Sequence, residues 1–442
     1  MTVQSLREAA LQFYRAGLAA ADPYAVVTAY LQQANQIQYL AQWPRIHPIA
    51  VGKAACAMLE AVLEQLPAPQ LALPALAITN DGNQRALPET QIWLAGHPLP
   101  DQRGLLAAER LRARLQQCQP GELLLLLLSG GGSAMLPDPA EGISLADKLH
   151  ITELLLASGA NIGQINCVRK HCSRLKGGGL ARLANGATVL TLALSDVIDD
   201  DPSSIASGPS VADPSTFADA INLLQAFELW PQTPPAIQKH LLAGQGGHIP
   251  ETLKPDDALN ARLHFKLLAS NRHSVSGMES AVGQSHYQLL ASYYELQGEA
   301  TKVAGSLAEQ TQLLLDSHPS RPWAWLGGGE TTVTLGTQPG CGGRNQELAL
   351  AFALRAETLG LEGRWCLLSA GSDGRDGPTT AAGGLVDQDS LRRMRQAGID
   401  PALHLAEHNS HPALLASQDL VMTGATGTNV ADLQLLLWEP NT

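Results

Sequence analysis

Residues 123–136 read LLLLLLSGGGSAML, and the fold class follows from this stretch. Six leucines are too few to cross a membrane, which takes roughly 20 apolar residues. The run therefore predicts a strand that is covered on both faces. A serine and three glycines follow it and leave the backbone bare, and the chain then turns apolar again. Strand, glycine tip and helix in this order are typical of an α/β sheet.

The same pattern of apolar strand, polar or glycine tip and helix recurs along the whole chain. Further copies are IHPIAVGKAA (46–55), LALPALAITNDGN (71–83), TVLTLALSDVIDDD (188–201), FKLLASNRHS (265–274), WAWLGGGETT (323–332), WCLLSAGSDGRDG (365–377) and LVMTGATGTN (420–429). A length of 442 residues favours two domains. The composition turns rich in Pro, Gly and polar residues between Pro209 and about Asp257, so we expect the interdomain connection there, with one or two helices in it. The predicted domains are residues 1–255 and 256–442.

Composition excludes several classes of protein. The net charge of −12 argues against a nucleic-acid or anionic membrane partner, although a locally basic pocket could still hold a small anion. The amino-terminal residues have no uninterrupted apolar stretch of the kind found in a signal peptide. The six cysteines are scattered without a CxxC pair. Together these features predict a reduced, cytoplasmic enzyme.

The glycine tip Ser129–Ser133 is a candidate phosphate cradle. Peptide N–H groups at the start of a helix can hold an anion, and glycine lets the anion come close. The tip lacks the lysine of a Walker A loop and does not form a dinucleotide-binding GxGxxG. A tight turn that binds no ligand is the alternative, and the tip alone does not decide between the two.

Cations for such a cradle could come from two other segments. NCVRKHCSRLKGGGLA (166–181) carries four cations within eight residues, at Arg169, Lys170, Arg174 and Lys176. Helical spacing puts the first and last of these on one face, and we expect the glycine run to end the helix. A solvated helix face is the alternative. Lys53 lies at the start of a helix, where the helix dipole disfavours a cation, so a ligand contact is the better interpretation.

Acids also follow strands. Asp196 and Asp373 come directly after two apolar strands, where a carboxylate can hold Mg²⁺ or take a proton from a hydroxyl. The acids just beyond them, Asp199–Asp201 and Asp376, are explained equally well as turn residues. We therefore predict a functional role only for the first acid after each strand.

Two further tips carry polar candidates. Glu330 is predicted to follow a strand, and Arg344 and Asn345 begin a helix after a glycine turn. An arginine in the first turn opposes the helix dipole and should be met by an anion or a nearby acid. Thr426 and Asn429 lie in another glycine-rich tip.

With these residues in view, the chain resembles the type 2 glycerate kinase family over nearly its full length. The resemblance rests on AVGKAA, SGGGSA, VRKHCSRLKGG, LSDVIDDDPSSIASGP, GGGETTV, GGRNQELAL, AGSDGRDGPT and TGATGTNVADL, in that order. It implies a Rossmann-like three-layer domain over 1–255, a MOFRL-type α/β domain over 256–442, and an active site in the cleft between them. The implied reaction is ATP- and Mg²⁺-dependent phosphorylation of D-glycerate at its 2-hydroxyl. Small departures from the family pattern occur at Gly179, Ser372 and Ala425.

The resemblance also implies roles for particular residues. The catalytic candidates are Lys53, Asp196, Arg344 and Asp373. Lys53 and Arg344 are expected to meet negative charge, with a bidentate grip by Arg344 on a carboxylate or phosphate. Asp196 or Asp373 would hold Mg²⁺ while the other acts on the 2-hydroxyl, and the sequence leaves this choice open. Expected nucleotide contacts are Ser129, Gly130, Gly131, Gly132, Ser133, Lys170, Lys176, Glu330, Asn345, Thr426 and Asn429.

Two other functional classes have to be weighed. An NAD(P)H-dependent hydroxypyruvate reductase is the alternative enzyme, because some members of the family carry that name. Against it, no strand is followed by GxGxxG with an acid about 20 residues further on. A catalytically inactive metabolite sensor is the third class, but all four catalytic candidates are present. The oligomeric state is left open, with a homodimer as one alternative.

Overall fold

The computed structural model describes residues 3–197, 199–317, 321–336 and 338–440. The strands are β1 (Ile46–Val51), β2 (Ala75–Thr79), β3 (Thr90–Leu94), β4 (Leu123–Leu128), β5 (Thr188–Leu194), β6 (Leu263–Ala269), β7 (Gln288–Glu299), β8 (Trp323–Thr332), β9 (Arg364–Gly371), β10 (Gly383–Asp387), β11 (Leu420–Val421) and β12 (Asp432–Glu439).

The helices are α1 (Val3–Ala20), α2 (Pro23–Leu31), α3 (Ala34–Ala41), α4 (Ala55–Gln65), α5 (Gln102–Leu115), α6 (Gly132–Met135), α7 (Leu145–Ala157), α8 (Ile162–His171), α9 (Gly179–Leu183), α10 (Phe217–Ala226), α11 (Pro235–Gln245), α12 (Asn271–Gly283), α13 (Ala300–Ser317), α14 (Arg344–Leu359), α15 (Ser390–Gln396), α16 (Pro401–Ala406) and α17 (Ser410–Ala416). Short 3₁₀ helices lie at Ala68–Gln70, Ile205–Ser207, Trp230–Gln232 and Ala258–Arg262. None of these described helices is long and apolar enough to cross a membrane.

The chain forms two compact units whose boundaries differ from the predicted ones. The N-terminal unit consists of residues 23–268, and the C-terminal unit combines residues 1–22 with 269–442. The sequence predicted a single division after residue 255. The sequence could not show that α1 packs with the C-terminal unit, because the pattern of an amphipathic helix does not identify the apolar surface against which the helix packs.

The N-terminal unit is built on a sheet with the strand order β3-β2-β1-β4-β5-β6. Strands β1 to β5 pair in parallel. This order is that of the Rossmann-like doubly wound fold, whose direction reverses between β1 and β4. Val51 pairs with Leu128, and Leu128 pairs with Ala193, so β1, β4 and β5 end at the same edge.

Burial explains the leucine run. All six side chains of β4 are 0% exposed, and those of Leu124, Leu126 and Leu128 lie in a core with α5 and the segment 175–184. A strand in the middle of a parallel sheet is covered by helices on both faces, so each of its positions is apolar.

The segment expected to connect two domains lies inside the N-terminal unit. Residues 209–257 contain α10 and α11, and Phe217, Ile221 and Leu241 are buried against α7 and α8. The helices expected in this segment are present. The segment does not connect the two units, however, because it lies wholly within the N-terminal unit.

The C-terminal unit is built on a mixed sheet in the order β11-β10-β9-β12-β8-β7. Strand β12 runs antiparallel between β8 and β9, and β7 pairs with β8 in parallel. Asp432, the first residue of β12, pairs with Gly329 of β8 and with Gly371 of β9. The start of β12 therefore lies at the edge where β8 and β9 end.

Aromatic residues and α1 fill the core of the C-terminal unit. The rings of Trp323 and Trp438 stack with centroids 5.9 Å apart on one side of the sheet. On the other side, Leu6, Phe13 and Tyr14 of α1 are buried against the sheet and α12. The amino-terminal helix is thus part of this core.

Candidate active site

At the edge of the N-terminal sheet, the tips that follow β1 and β4 are joined by hydrogen bonds. The Lys53 N–H donates to the Gly130 carbonyl over 2.9 Å, and the Ser129 hydroxyl accepts the Ala54 N–H over 3.0 Å. In doubly wound sheets this switch point is where ligands bind. The structure therefore brings Lys53 and the glycine tip together, as the sequence predicted for each of them separately.

A histidine that the sequence analysis did not single out lies against the glycine tip. Gly131 has φ +84°, and a Cβ at this position would lie 2.8 Å from His97 Cδ2 and 3.1 Å from His97 Nε2. His97 belongs to the loop after β3. Asp101 braces this loop, because its Oδ1 accepts the N–H groups of Gly96 over 2.9 Å and Gly104 over 3.0 Å. Glycine is thus required at position 131 for conformation and for space.

The hydroxyl of Ser133 gathers two cations. Its Oγ accepts a hydrogen bond from Arg169 Nη2 over 2.8 Å and another from Lys176 Nζ over 2.9 Å, and it lies 2.8 Å from Ser207 Oγ. The sequence placed both cations on one helical face. Helix α8 ends at His171, however, so Lys176 reaches Ser133 from the turn that follows the helix. The two cations meet as expected, but through tertiary structure and not through helical spacing.

Arg169 and Lys176 lie close together without a carboxylate between them in the described part of the chain. Neither Arg169 nor Lys176 forms an ion pair with a carboxylate among the residues that the structure describes. Burial lowers the pKa of both groups, and for Lys176 the charges of Arg169 and Lys148 lower the pKa further. Lys170, also predicted to bind the nucleotide, instead forms a buried ion pair with Asp213 at 3.3 Å.

Asp196 follows β5 and lies, partly buried, at the same sheet edge as the glycine tip. The acids after it behave differently. Asp201 accepts hydrogen bonds from the Ser203 N–H over 3.0 Å and from the hydroxyls of Ser203 over 2.6 Å and Ser204 over 2.8 Å. These local bonds match the turn interpretation for Asp201, and Asp196 stays the candidate for chemistry.

In the C-terminal unit, Arg344 joins two carboxylates at the sheet edge. Its Nε and Nη2 donate to Asp432 Oδ2 over 2.6 Å and Oδ1 over 3.0 Å, and its Nη1 lies 2.6 Å from Glu330 Oε1. The side chain of Asp432 is only 1% exposed. The sequence predicted that an anion or a nearby acid would meet this first-turn arginine, and the structure shows two acids beside it, Asp432 and Glu330.

This arrangement differs from the role predicted for Arg344. The bidentate face of its guanidinium is occupied by Asp432, so it is not presented to a substrate carboxylate or phosphate. Burial opposes the positive charge, but the bonds to Asp432 outweigh it and raise the pKa of Arg344. Glu330 was expected after a strand, yet it lies within β8, which continues to Thr332. One arginine with two acids leaves a net negative charge, which suits a cation better than an anion.

Asp373 adds a third carboxylate at this edge. A Cβ on Gly371 would lie 3.4 Å from Asp373 Oδ1 and 3.5 Å from Asp432 Oδ1, so the two carboxylates approach the same point. Tyr14 donates to the Gly371 carbonyl over 2.7 Å. The pKa of Tyr14 is raised by burial and then by the charges of Asp432 and Asp373, which keeps this donor protonated.

Asp376 caps the helix that carries Arg344. Its carboxylate accepts the backbone N–H of Asn345 over 3.1 Å and of Gln346 over 2.9 Å, at the positive end of α14. Burial and the charge of Asp432 raise its pKa to about 6. Asn345, predicted as a nucleotide contact, is 0% exposed, and its amide oxygen accepts a bond from Ser369. The side chain of Asn345 therefore serves the core of this unit.

The glycine-rich tip at 423–431 is held against the end of β9. Thr426 donates its hydroxyl proton to the Ser372 carbonyl, and the Ser372 hydroxyl accepts the Val430 N–H over 2.8 Å. Asn429 lies partly buried in the same tip. The hydroxyl of Ser372 therefore makes a bond that fixes this loop.

The carboxylates at the edge of the C-terminal sheet suit Mg²⁺. No group of three or more His, Cys, Asp or Glu side chains is gathered to hold a metal within the described part of the chain. Mg²⁺ is usually held by only one or two carboxylates, together with phosphates and water. Asp373 and Asp432, which approach one point, fit this need.

The comparisons with known proteins agree with this geometry. Residues 9–242 match a domain of unknown function, DUF4147, and residues 323–432 match the MOFRL family. Glycerate 2-kinase of Pyrococcus horikoshii is 36% identical to this chain over 99% of its length and 98% of the relative's. The chain belongs to the glycerate 2-kinase family. The resemblance seen in the sequence is thereby confirmed.

Two further relatives bear on the fold and on the alternative activity. The crystal structure of glycerate kinase from Thermotoga maritima is 34% identical and superposes with a TM-score of 0.85, covering 98% of this chain and 100% of that one. The two-unit α/β fold is thus that of the glycerate 2-kinase family. A relative from Agrobacterium vitis, 37% identical over 98% of this chain and 94% of its own, is named a hydroxypyruvate reductase. That name is a mislabel within a kinase family, and we do not retain the reductase alternative.

Three residues at these edges were missed by sequence reasoning. Asp432 stands in the quoted motif TGATGTNVADL, and an acid at the start of the apolar run DLQLLLWE is the signal that could have found it. Ser207 lies in the motif LSDVIDDDPSSIASGP without a pattern of its own. For His97 there was no local signal, because the loop that follows β3 reaches the glycine tip only in the folded chain.

Proposed function

We propose that this chain transfers the terminal phosphoryl group of ATP to the 2-hydroxyl of D-glycerate, giving 2-phospho-D-glycerate and ADP. The observation that carries this proposal is the cationic glycine tip at the switch point of the N-terminal sheet. Phosphoryl transfer depends mostly on positioning and on neutralisation of charge. A glycine tip together with Lys53, Arg169 and Lys176 supplies both for a polyphosphate.

In the N-terminal unit, we assign anion binding. The N–H groups of Gly130 and Gly131 would hold nucleotide phosphates, since glycine permits close approach. The Gly132 N–H, also expected in this role, donates to the Ser129 carbonyl over 3.4 Å and would have to leave it to reach a phosphate. Lys53 would stabilise the negative charge on the transferring group, a contribution typical of positioned cations in such reactions. His97, packed on Gly131, would limit the space above the tip.

In the C-terminal unit, we assign cation binding. Asp373 and Asp432 would hold Mg²⁺ at the edge where β9 ends and β12 begins. When bound, Mg²⁺ neutralises charge on phosphate oxygens. Arg344 and Tyr14 would position these carboxylates, Arg344 by its bonds to Asp432 and Tyr14 by its bond to Gly371.

The 2-hydroxyl must lose its proton as its oxygen attacks the phosphorus. Asp196 is the candidate acceptor under this assignment, because Asp373 would be engaged with Mg²⁺. The opposite assignment, with Asp196 on the metal and Asp373 as the acceptor, stays open. A carboxylate in either role accepts the proton at a side-chain oxygen.

The test is identification of the product. Purified protein would be incubated with ATP, Mg²⁺ and D-glycerate, and the phosphate ester identified by ³¹P and ¹H NMR. We expect 2-phosphoglycerate in an amount equal to the ADP formed. Formation of 3-phosphoglycerate would contradict the regiochemistry, and the absence of any phosphate ester would overturn the proposal. Parallel incubation with NADH and hydroxypyruvate should leave NADH unoxidised.

We also propose the location, the partners and the assembly of the protein as the sequence predicts them. They are a cytoplasmic location, the absence of nucleic-acid and membrane partners, and a homodimer as one alternative for the assembly. Size-exclusion chromatography with light scattering would test the assembly.

A further inference from the structure

Buried Lys176 and partly buried Arg169 both donate to the Ser133 hydroxyl, and neither forms an ion pair with a carboxylate among the described residues. A bound anion would compensate the charge of both groups. We propose that Ser133, Arg169 and Lys176 form an oxyanion subsite whose ligand is a carboxylate or a phosphoryl group, and that Lys176 takes up a proton when the anion binds. We call this the Ser133 subsite. The two candidate ligands, glycerate and the nucleotide, rest on the proposed function.

The directions of the hydrogen bonds at the subsite are determined by its donors. Arg169 can only donate, and Lys176 donates to both the carbonyl oxygen of Ser133 over 2.8 Å and its hydroxyl over 2.9 Å. Both lone pairs of the Ser133 hydroxyl are therefore in use, and its proton must point to Ser207 Oγ at 2.8 Å. Ser207 in turn donates to Asn166 Oδ1 over 3.2 Å. This chain of bonds holds the two cations in place.

The backbone around Ser207 is held in an unfavourable conformation. Ala206 has φ +51°, Ser207 has φ +61° and Gly208 has φ +61°, so two residues with side chains are left-handed in succession. Such conformations cost free energy and persist where the surrounding structure enforces them, often at functional sites. Here the N–H groups of Gly177 and Gly178 bind the carbonyls of Ser207 over 3.1 Å and Gly208 over 2.7 Å. The turn that contains Lys176 is thus tied to the segment that orients Ser133.

The charged groups facing Lys176 are cations. Arg169 approaches from α8, and Lys148 approaches from α7, where it is buried and donates to the Pro137 carbonyl over 2.6 Å. The segment at 205–207 and helix α6 contribute hydroxyls without charge. Buried carboxylates nearby already have cationic partners, in the pairs Asp213–Lys170 and Asp138–Arg174. An oxyanion would therefore be the compensating charge.

The protonation state of Lys176 depends on whether an anion is bound. Burial lowers the pKa of Lys176 well below its ordinary value, which favours the neutral amine while the subsite is empty. A neutral amine has two N–H groups, and both are used by the two oxygens of Ser133. The ammonium form has a third N–H, which is the one available to an oxyanion. An anion raises the pKa of Lys176 again, so one proton moves from solvent to Nζ as the anion binds.

Isothermal titration calorimetry tests both halves. D-glycerate, ADP and inorganic phosphate would each be titrated into the wild-type protein in two buffers of different protonation enthalpy, over a pH range from about 6 to 9. The ligand that occupies the subsite should show a binding enthalpy that differs between the buffers, with proton uptake. Phosphate and ADP exchange protons of their own in this pH range, because the second pKa of a phosphate group is about 6. Only proton uptake that Lys176→Met removes is therefore assigned to the subsite, and the ligand that shows it distinguishes the carboxylate from the phosphoryl group.

Variants assign the effect to these side chains. Lys176→Met and Arg169→Gln should each weaken the occupying ligand by at least about 30-fold, as expected for loss of a buried charged contact, and Lys176→Met should abolish the buffer dependence. Arg169→Lys keeps the charge and should weaken binding less. Lys239→Met, the same change at an exposed lysine of the N-terminal unit, should have no effect. Circular dichroism would verify that the variants are folded. If a variant fails to fold, the wild-type titrations still test whether anion binding is accompanied by proton uptake.

The outcomes separate this inference from the proposed function. If the wild type makes 2-phosphoglycerate but shows no proton uptake, and both variants bind every probe with unchanged affinity, the subsite is refuted and the kinase stands. If the wild type makes no phosphate ester but still binds phosphate with proton uptake that Lys176→Met removes, the subsite stands and the kinase falls. Binding of none of the three probes by the wild type would also refute the subsite.

Discussion

Replacement of Arg344 by lysine tests how the acidic edge of the C-terminal unit is held together. Arginine makes three contacts there, two to Asp432 and one to Glu330. Lysine keeps the positive charge but is a compact donor, which cannot bridge two oxygens of one carboxylate and a second carboxylate at once. We expect Arg344→Lys to keep one contact to Asp432 and to lose the other two.

The expected loss of stability follows from where each contact lies. The side chain of Asp432 is 1% exposed, so a lost hydrogen bond to its charge should cost about 1.5–3 kcal/mol. Glu330 is 42% exposed, and a lost ion pair there should cost about 0–1 kcal/mol. Arg344→Lys should therefore lower the free energy of unfolding by roughly 1.5–4 kcal/mol. Catalysis should fall as well, because Asp432 would no longer be positioned.

A matched control exists within the same unit. Arg395 forms a two-oxygen pair with Glu357 at 2.6 and 2.7 Å, and both side chains are 50% exposed. Arg395→Lys should cost at most about 1 kcal/mol, although its geometry resembles that of the buried pair. Urea denaturation followed by circular dichroism measures both variants. Equal losses of stability for the two variants would refute the reasoning that burial of Asp432 makes the Arg344 contacts strong.

Four further outcomes are expected. Lys53→Ala should lower kcat by at least about 100-fold while circular dichroism stays unchanged, and a nearly normal kcat would remove Lys53 from the site. Asp373→Asn should raise the Mg²⁺ concentration for half-maximal activity or abolish activity, and an unchanged Mg²⁺ titration would speak against a metal role. Gly131→Ala should weaken ADP binding and destabilise the protein more than Gly121→Ala, because the two have φ +84° and +85° but only the first would clash with a neighbour. For Asp376, a pKa of about 6 in the folded chain against 3.8 when unfolded means that its protonation stabilises the fold at low pH, and this contribution of roughly 3 kcal/mol is lost as pH rises through 6. Asp376→Asn should remove that part of the pH dependence in urea denaturation, and an unchanged slope between about pH 4 and 7 would contradict the assignment.

Most of the architecture was predictable because the relevant patterns are local. An apolar run that stops at a glycine or serine is visible without knowledge of its neighbours, and this pattern identified β1, β4 and β5 together with β8 and β9. Strand β7 escaped detection because it lies at the edge of its sheet and is only partly buried. The antiparallel place of β12 between β8 and β9 could not be predicted locally, because it depends on pairing far along the chain.

Some residues of the candidate site follow a local pattern in the sequence, whereas the contacts of others depend on the folded chain. Lys53 and the tip Ser129–Ser133 were found because each follows a strand, and parallel strands end at one edge. Asn345 is buried and bonded to Ser369, which the sequence could not show because a polar residue at the start of a helix has the same local pattern whether it faces a ligand or the core. The ion pair of Lys170 also left no local signal, because its partner Asp213 lies 43 positions away along the chain.

Strand and helix periods, glycine positions and the order of motifs were thus enough to establish an α/β chain with charged strand ends and to indicate its family. Local chemistry dictates these features, so they can be read residue by residue. Which charges meet was decided by packing: Arg169 and Lys176 on Ser133, and Arg344 between Asp432 and Glu330. Electrostatic energy depends on distance and burial, and both are properties of the folded chain.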